Sequence, residues 1–216
     1  MYPGPISSSY NPAMSSTFWD QRYSGNDFAY GEAPNEFLVQ MADRLPNRGD
    51  ALDIGAGEGR NAMFLALRGL NVLAVDQSEV GMHKALQRAK ACALSLRTKA
   101  VDLRDLEAEP GSIDVVSSIF VHLPALLRAT VHKRIGAWLK PGGLFLLEAY
   151  APDQLERNTG GPKDPEMLAS LESIVGELTG EGKLIIEHQS ALVRMVSEGR
   201  FHTGEASVVQ VLARKP

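Results

Sequence analysis

Cysteine is nearly absent: Cys92 is the only one in 216 residues. No disulfide can close within the chain, and nothing in it calls for an oxidising compartment. Long apolar runs are missing too, and none approaches the ~18 residues that a membrane span needs. Positive charge is not in excess: 22 Lys and Arg stand against 26 Asp and Glu, a net charge of -4. That balance leaves no basic footprint for DNA or RNA. The opening Met1-Tyr2-Pro3-Gly4-Pro5 carries no basic residue and no apolar core, so no secretory signal is expected. The 5 histidines (83, 122, 132, 188, 202) are scattered without ligand-type spacing, and no metal is expected. Internal repeats and low-complexity tracts are absent as well. These absences together lead to the expectation of a cytoplasmic protein with no membrane or nucleic-acid partner. They leave the oligomeric state open.

What is present suffices for one packed domain, with 44% hydrophobic and 22% charged residues. The most ordered stretch is Ala51-Leu52-Asp53-Ile54-Gly55-Ala56-Gly57-Glu58-Gly59-Arg60-Asn61-Ala62. A short apolar run ends in three glycines, and Met63, Phe64, Leu67 and Leu70 then recur at helical spacing. Strand, glycine turn and helix in that order form the opening unit of a nucleotide-binding α/β fold. Two details bear on the ligand. A dinucleotide fingerprint wants its third glycine three positions after the second, and Arg60 stands there. Glu58 falls at or beside the helix start, where a carboxylate makes a second anion less welcome. A phosphate-free adenosine carrying an amino acid and a sulfonium fits better, and that ligand is S-adenosylmethionine (SAM).

Asp53-Ile54-Gly55-Ala56-Gly57-Glu58-Gly59 resembles the first motif of class I SAM-dependent methyltransferases. The extension Gly59-Arg60-Asn61 resembles the small-molecule branch that includes the tellurite-resistance and thiopurine methyltransferases. The resemblance runs over roughly residues 17 to 214. It implies a three-layer α/β fold, a doubly wound, Rossmann-like seven-stranded sheet, mostly parallel with the last strand antiparallel. It also implies methyl transfer from SAM, leaving S-adenosylhomocysteine, to a small acceptor such as a thiol or a chalcogen oxyanion. Residues 1–16, rich in Ser, Pro, Tyr, Gly and Asn, are expected to form a mobile tail. Residues 17–216 then make a single domain, with 17–45 a helical cover over the cofactor site.

In chain order, Phe18-Trp19-Asp20-Gln21-Arg22-Tyr23 and Tyr30-Gly31 gather aromatics and an arginine ahead of the first strand. In the family resembled, such segments fold back over SAM, and by that likeness Trp19, Arg22 and Tyr30 contact it, Arg22 at its carboxylate. From the residues alone, Phe18, Trp19 and Tyr23 suit a short helix packed on the core equally well. Residues 34 to 45 read as a helix starting at Pro34, with Phe37, Leu38, Met41 and Leu45 on one face. Asn71 to Val75 is a buried second strand ending at Asp76, about 20 residues beyond the glycines. A carboxylate there suits the two ribose hydroxyls; its other reading is an acid at the start of the next helix. The expected donor site is thus Asp53, the Gly55, Ala56 and Gly57 backbone, Asn61, Asp76 and its neighbour Gln77.

A helix over 79 to 94 holds His83 and Cys92 as surface or packing residues. Thr98 to Val101 is a third strand ending at Asp102-Leu103. By the same likeness the acid there meets the adenine amino group and the Leu103 backbone meets the ring. Ser112 to His122 reads as a fourth strand running into the site, with Ser118, Ile119 and His122 near the donor. His122 suits a general base or merely orients the turn before Leu123-Pro124. Leu127, Val131, Ile135 and Trp138 share one face of a helix over 124–139, stopped by Lys140-Pro141-Gly142-Gly143. A fifth strand over 144–150 carries Glu148 and Tyr150, expected to border the acceptor pocket. The loop over 151–163 has the length of a lid, followed by a helix to about Glu177 and strands at 183–195 and 206–213. The ending resembles the tellurite-resistance enzymes, which place a histidine in the last turn. His202 is therefore the catalytic candidate, as acid, base or orienting group, against a plain hairpin residue.

Rival readings are an NAD(P)-dependent oxidoreductase, a SAM-binding protein without turnover, and a protein or RNA methyltransferase. The amino-group DNA methyltransferases are excluded, because Ser117-Ser118-Ile119-Phe120 stands in place of their Asn/Asp-Pro-Pro-Tyr/Phe run. The cytosine-carbon enzymes need a Pro-Cys nucleophile, and Cys92 follows Ala91.

Overall fold

Strands alternate with helices that cover the sheet, so its central strands are buried while its two edge strands stay largely exposed. The computed structural model describes residues 15–216; positions 1–14, most of the expected tail, lie outside the described residues. The elements are α1 (Ser16–Tyr23), α2 (Glu36–Gln40), β1 (Asp50–Ile54), α3 (Arg60–Leu67), β2 (Asn71–Asp76), α4 (Glu79–Ala91), β3 (Leu96–Ala100), β4 (Ile113–Ile119), α5 (Ala125–Trp138), β5 (Leu139–Tyr150), α6 (Leu171–Thr179), β6 (Ile185–Ser197) and β7 (Thr203–Arg214). The sheet has 7 strands in the order β3-β2-β1-β4-β5-β7-β6. β7 runs antiparallel to both β5 and β6, and the other pairings are parallel. The doubly wound sheet with an antiparallel last strand is the architecture expected from the sequence.

Two apolar layers sandwich the sheet. On one face Phe37, Leu65, Met82 and Ala85 from α2, α3 and α4 pack on Ala51, Val72 and Leu146. On the other, Val131, Ile135, Ile174 and Leu178 from α5 and α6 pack on Ile54, Val116 and Phe145. The strand order reverses between β1 and β4, which opens a crevice at their C-terminal ends.

Several boundaries differ from the sequence reading; the fifth strand, expected over 144–150, begins at Leu139 and takes in Lys140-Pro141-Gly142-Gly143. Ser15 and Ser16 are not tail: the Ser15 hydroxyl caps α1 by accepting the Phe18 N–H at 3.2 Å. The helix expected over 34–45 is cut to α2 plus a 3₁₀ turn over Ala42–Arg44. Its N-cap is Asn35, whose side chain accepts the Leu38 N–H, so Pro34 falls before the cap. The final strands reach further toward each other than expected. Ser197 pairs with Thr203, and the Glu198 N–H donates to the His202 carbonyl at 2.7 Å, which leaves a tight turn.

Candidate functional site

A cavity of about 420 Å³ sits over the C-terminal ends of β1, β2 and β4, within the ~300–1,000 Å³ of small-ligand sites. Its floor is the glycine turn. Gly57 has φ +55° and a Cβ there would lie 2.8 Å from the Tyr23 hydroxyl, so only bare backbone fits between the turn and α1. Asp76, at the end of β2, fixes the turn by accepting the Gly57 N–H at 2.9 Å and the Ser78 N–H at 2.9 Å. Burial raises its pKa, and the bonds from the Ser78, Gly57 and Gln77 backbone work against that rise. Gly55, Ala56, Asn61, Gln77, Leu103 and Ile119 line the same cavity. Asn61 also accepts the Asn35 N–H at 2.9 Å, which joins the glycine-loop helix to the N-terminal segment. Asp102 lines the wall, its carboxylate gripped by Arg104 at 2.7 and 3.0 Å. That guanidinium holds the Asp102 carboxyl below its ordinary value.

Two residues expected at the cofactor stand back from the cavity lining. Asp53 is buried beneath the loop and accepts the Ser117 hydroxyl at 2.6 Å; burial pushes its carboxyl up to about 7. Ser118 is buried within the sheet, between Ile54 and Leu147. A third correction concerns Glu58. Its carboxylate accepts the Ala29 N–H at 2.7 Å and pairs with Lys84. The ammonium of Lys84 neutralises the charge expected to repel a phosphate, so Glu58 does not by itself exclude a dinucleotide. Lys84 instead ties down the cover, bonding the carbonyls of Tyr23, Gly25 and Asp27 at 3.2, 2.9 and 3.0 Å.

The cover itself roofs the cavity. Trp19 stacks on Tyr23 at 5.7 Å and lies 6.4 Å from Tyr30. Arg22 donates to the Tyr30 hydroxyl at 3.1 Å and stands 4.0 Å over the Phe201 ring. Asp20 accepts from the Ser78 hydroxyl at 2.6 Å and fastens α1 to the start of α4.

On the far side, the end of β4 and the β6–β7 turn bring aromatic rings together. Phe120, with φ +53°, turns its ring to 4.6 Å from Tyr150 and 4.9 Å from His202. A bulky residue held in that conformation marks stored strain of the kind found at functional sites. His202 lines the cavity, 4.5 Å from the Tyr30 ring. Burial, followed by the positive charge of His122, Arg60, Arg22 and Arg194, holds its imidazole well below 6.5, so it is neutral at pH 7. His122 also lines the cavity and stacks on Tyr150 at 5.4 Å; burial pushes it down to about 4. Gly160, Gly161, Pro162 and Lys163 from the expected lid close the wall.

Glu148 and Tyr150, expected to border the acceptor, lie behind that lining instead. Tyr150 is fully buried under Gly161. Glu148 is the centre of a buried network that sequence reasoning missed. It accepts from Arg194 at 2.6 Å, from Asn35 at 3.0 Å and from Gln210. Glu198 accepts from Arg194 and Asn35, both at 2.9 Å, and pairs with Arg60. The available signal was a glutamate set between the apolar run Leu144-Phe145-Leu146-Leu147 and Ala149-Tyr150, since buried charges come paired. Among the described residues no cluster of metal ligands is found, and no helix is long and apolar enough to cross a membrane.

These donors fit an adenosine bearing a sulfonium and an amino acid. The cradle is bare backbone, two carboxylates stand along it, the roof is aromatic, and Arg22 is a cation beside the roof.

Residues 51–143 match the methyltransferase-domain family. Over 167 residues the chain is 26% identical to the dimethylglycine N-methyltransferase of Parasynechococcus marenigrum, covering 68% of this chain and 59% of that one. The solved structure described as the conversion of a disulfide bond into a thioacetal group during echinomycin biosynthesis superposes with TM-score 0.71 at 19% identity, covering 93% and 92% of the two chains. TehB from Haemophilus influenzae superposes with TM-score 0.67 at 17% identity, covering 93% of this chain and 67% of its own. The chain spans less than two thirds of the length of its leading curated relatives.

Proposed function

We propose that this chain is a class I SAM-dependent methyltransferase that moves the methyl group to a small-molecule acceptor, a reading supported by its fold and by the methyltransferase-domain match over residues 51–143. The observation that carries the reading is the glycine turn anchored by Asp76 beneath an aromatic roof that includes Arg22. Bound SAM supplies an electrophilic methyl carbon whose leaving group is a neutral thioether. The chain's own residues have the task of alignment, which is worth several kcal/mol when reacting atoms are held in line. Asp76 would receive the ribose hydroxyls on lone pairs left over from the Gly57 and Ser78 bonds. Asp102 and Leu103 would hold the adenine and Arg22 the amino-acid carboxylate, while the rings of Trp19 and Tyr30 would favour a positive sulfur and exclude water.

A dinucleotide is disfavoured by the domain family matched and by a turn without the third glycine of its fingerprint. A nucleic acid finds no net positive charge to bind. A location in the cytoplasm is part of the same proposal. The test is incubation of the full chain with isotopically labelled SAM and a cell extract, followed by mass spectrometry. Small products gaining one labelled methyl are expected; label appearing only in protein or RNA would overturn the small-molecule reading.

A further inference from the structure

The sheet order separates the cavity into two sides. Gly57, Asp76 and Asp102 follow β1, β2 and β3, whereas Phe120, His122, Met167 and His202 come from beyond β4, β5 and β6. The second side is walled by rings and a thioether and has no uncommitted buried cation among the described residues. Arg22 is engaged with Tyr30 and Phe201, Arg60 with Glu198, and Lys163 stands exposed at the mouth. An oxyanion would enter there without a counter-charge, and an aromatic thiol, largely ionised in neutral water, would meet the same cost. A flat ring, by contrast, gains offset or edge contacts with Phe120 and Phe201. In the lining of this side, His202 Nδ1 is buried without a hydrogen bond among the described residues, its ring 5.3 Å from that of Tyr150 behind the lining. A buried polar atom without a partner calls for an explanation, and on a cavity wall a bound hydroxyl supplies one.

We propose, building on the methyl-transfer reading above, that the acceptor is a planar aromatic alcohol which enters uncharged and gives its proton to the imidazole of His202. A lone pair on the phenolic oxygen forms the new O–CH₃ bond while the C–S bond breaks, its electron pair remaining on sulfur. The O–H becomes acidic as the new bond forms, its proton passes to the imidazole, and the imidazolium releases it to water. A free phenol keeps its proton up to about pH 10, so such an acceptor needs the base that a thiolate or oxyanion would not. His202 is neutral and therefore able to accept.

The test uses the full chain with SAM and four probes: 2-naphthol, 2-naphthalenethiol, 2-naphthylamine and selenite. Methylated products are quantified by mass spectrometry, and SAM binding is measured separately by calorimetry. Methylation of the naphthol above the other three is expected. His202→Ala should lower kcat for it by about 100-fold, with KM and SAM affinity changed less than threefold. Preference for the thiol, the amine or selenite overturns the inference. So does an unchanged kcat in His202→Ala, or turnover of none of the four while SAM binds normally. Failure to bind SAM removes the methyl-transfer reading itself, and the inference falls with it.

Discussion

Asp76 uses one carboxylate twice, holding the glycine turn through Gly57 and offering its free lone pairs to the cavity. Hydrogen bonds to a charged group are worth about 1.5–3 kcal/mol. Asp76→Ala should therefore weaken SAM binding about 10- to 100-fold in a calorimetric titration while the far-ultraviolet dichroism stays native. Unchanged affinity would remove Asp76 from the site. Burial at His122 gives a second handle. The unfolded chain takes up a proton on this imidazole below about pH 6.5, whereas the folded one refuses it until about 4. Its contribution to stability is thus complete above the unfolded value and lost as the pH falls from 6.5 toward 4. Burial acts in the same direction on His132 and His202. Asp53, raised to about 7, runs the opposite way, because the folded state keeps a proton that the unfolded chain loses above about pH 4. His122→Phe, which keeps a ring on Tyr150, should lose less melting temperature than the parent between pH 6.5 and 4.5. An equal loss would place the acid sensitivity elsewhere. At this scale the glycines and Asp76 were legible in the sequence because a turn and a strand end are local. Phe120 was not, since nothing in the residues around a phenylalanine announces a positive φ. Glu58 was misread because the spacing shows its charge but not Lys84, which α4 brings from 26 residues away.

Between elements, the turn after β6 is what ties the acceptor side to the cover. Gly199 (φ +75°) lies so close to the 29–31 backbone that a Cβ would come within 2.6 Å of it. Nearby, Glu198 joins Arg60 of α3, Asn35 and Arg194. Gly199→Ala should cost about 1–3 kcal/mol from overpacking and displace His202, so that turnover falls along with melting temperature. Gly176→Ala is the control: it sits in α6 with nothing within 4 Å of the new methyl. There the exchange should stabilise by about 0.5–1 kcal/mol and leave turnover untouched. Turnover that survives Gly199→Ala would detach the hairpin from the chemistry. The hairpin itself was legible from two apolar runs around a Gly-containing turn. The short α2 was not, because apolar spacing continued past Gln40 while the Asn35 cap moved its start. The network around Glu148 was invisible for a different reason. Its partners Asn35 and Glu148 are 113 residues apart, and Asn35 and Glu198 are 163 apart; no local pattern encodes such pairings.

Across the whole molecule, the alternation of strands with one-faced helices marked an α/β chain, the seven-stranded sheet was implied by the family resemblance, and the strand order is set by the structure. The crevice at the strand-order reversal followed from that topology, and so did the place of the donor side. The acceptor side is built by β6, β7 and the loop after β5, where the sequence offered only a resemblance and the ring cluster emerged on folding. The central claim is that the cavity takes a phosphate-free sulfonium nucleoside. Its most direct test is isothermal titration of the full chain with SAM and, in parallel, with NAD. One SAM per chain should bind, raise the melting temperature by mass action, and lose affinity in Asp76→Ala, with NAD giving no heat. Saturable binding of NAD, or no binding of SAM, would contradict it.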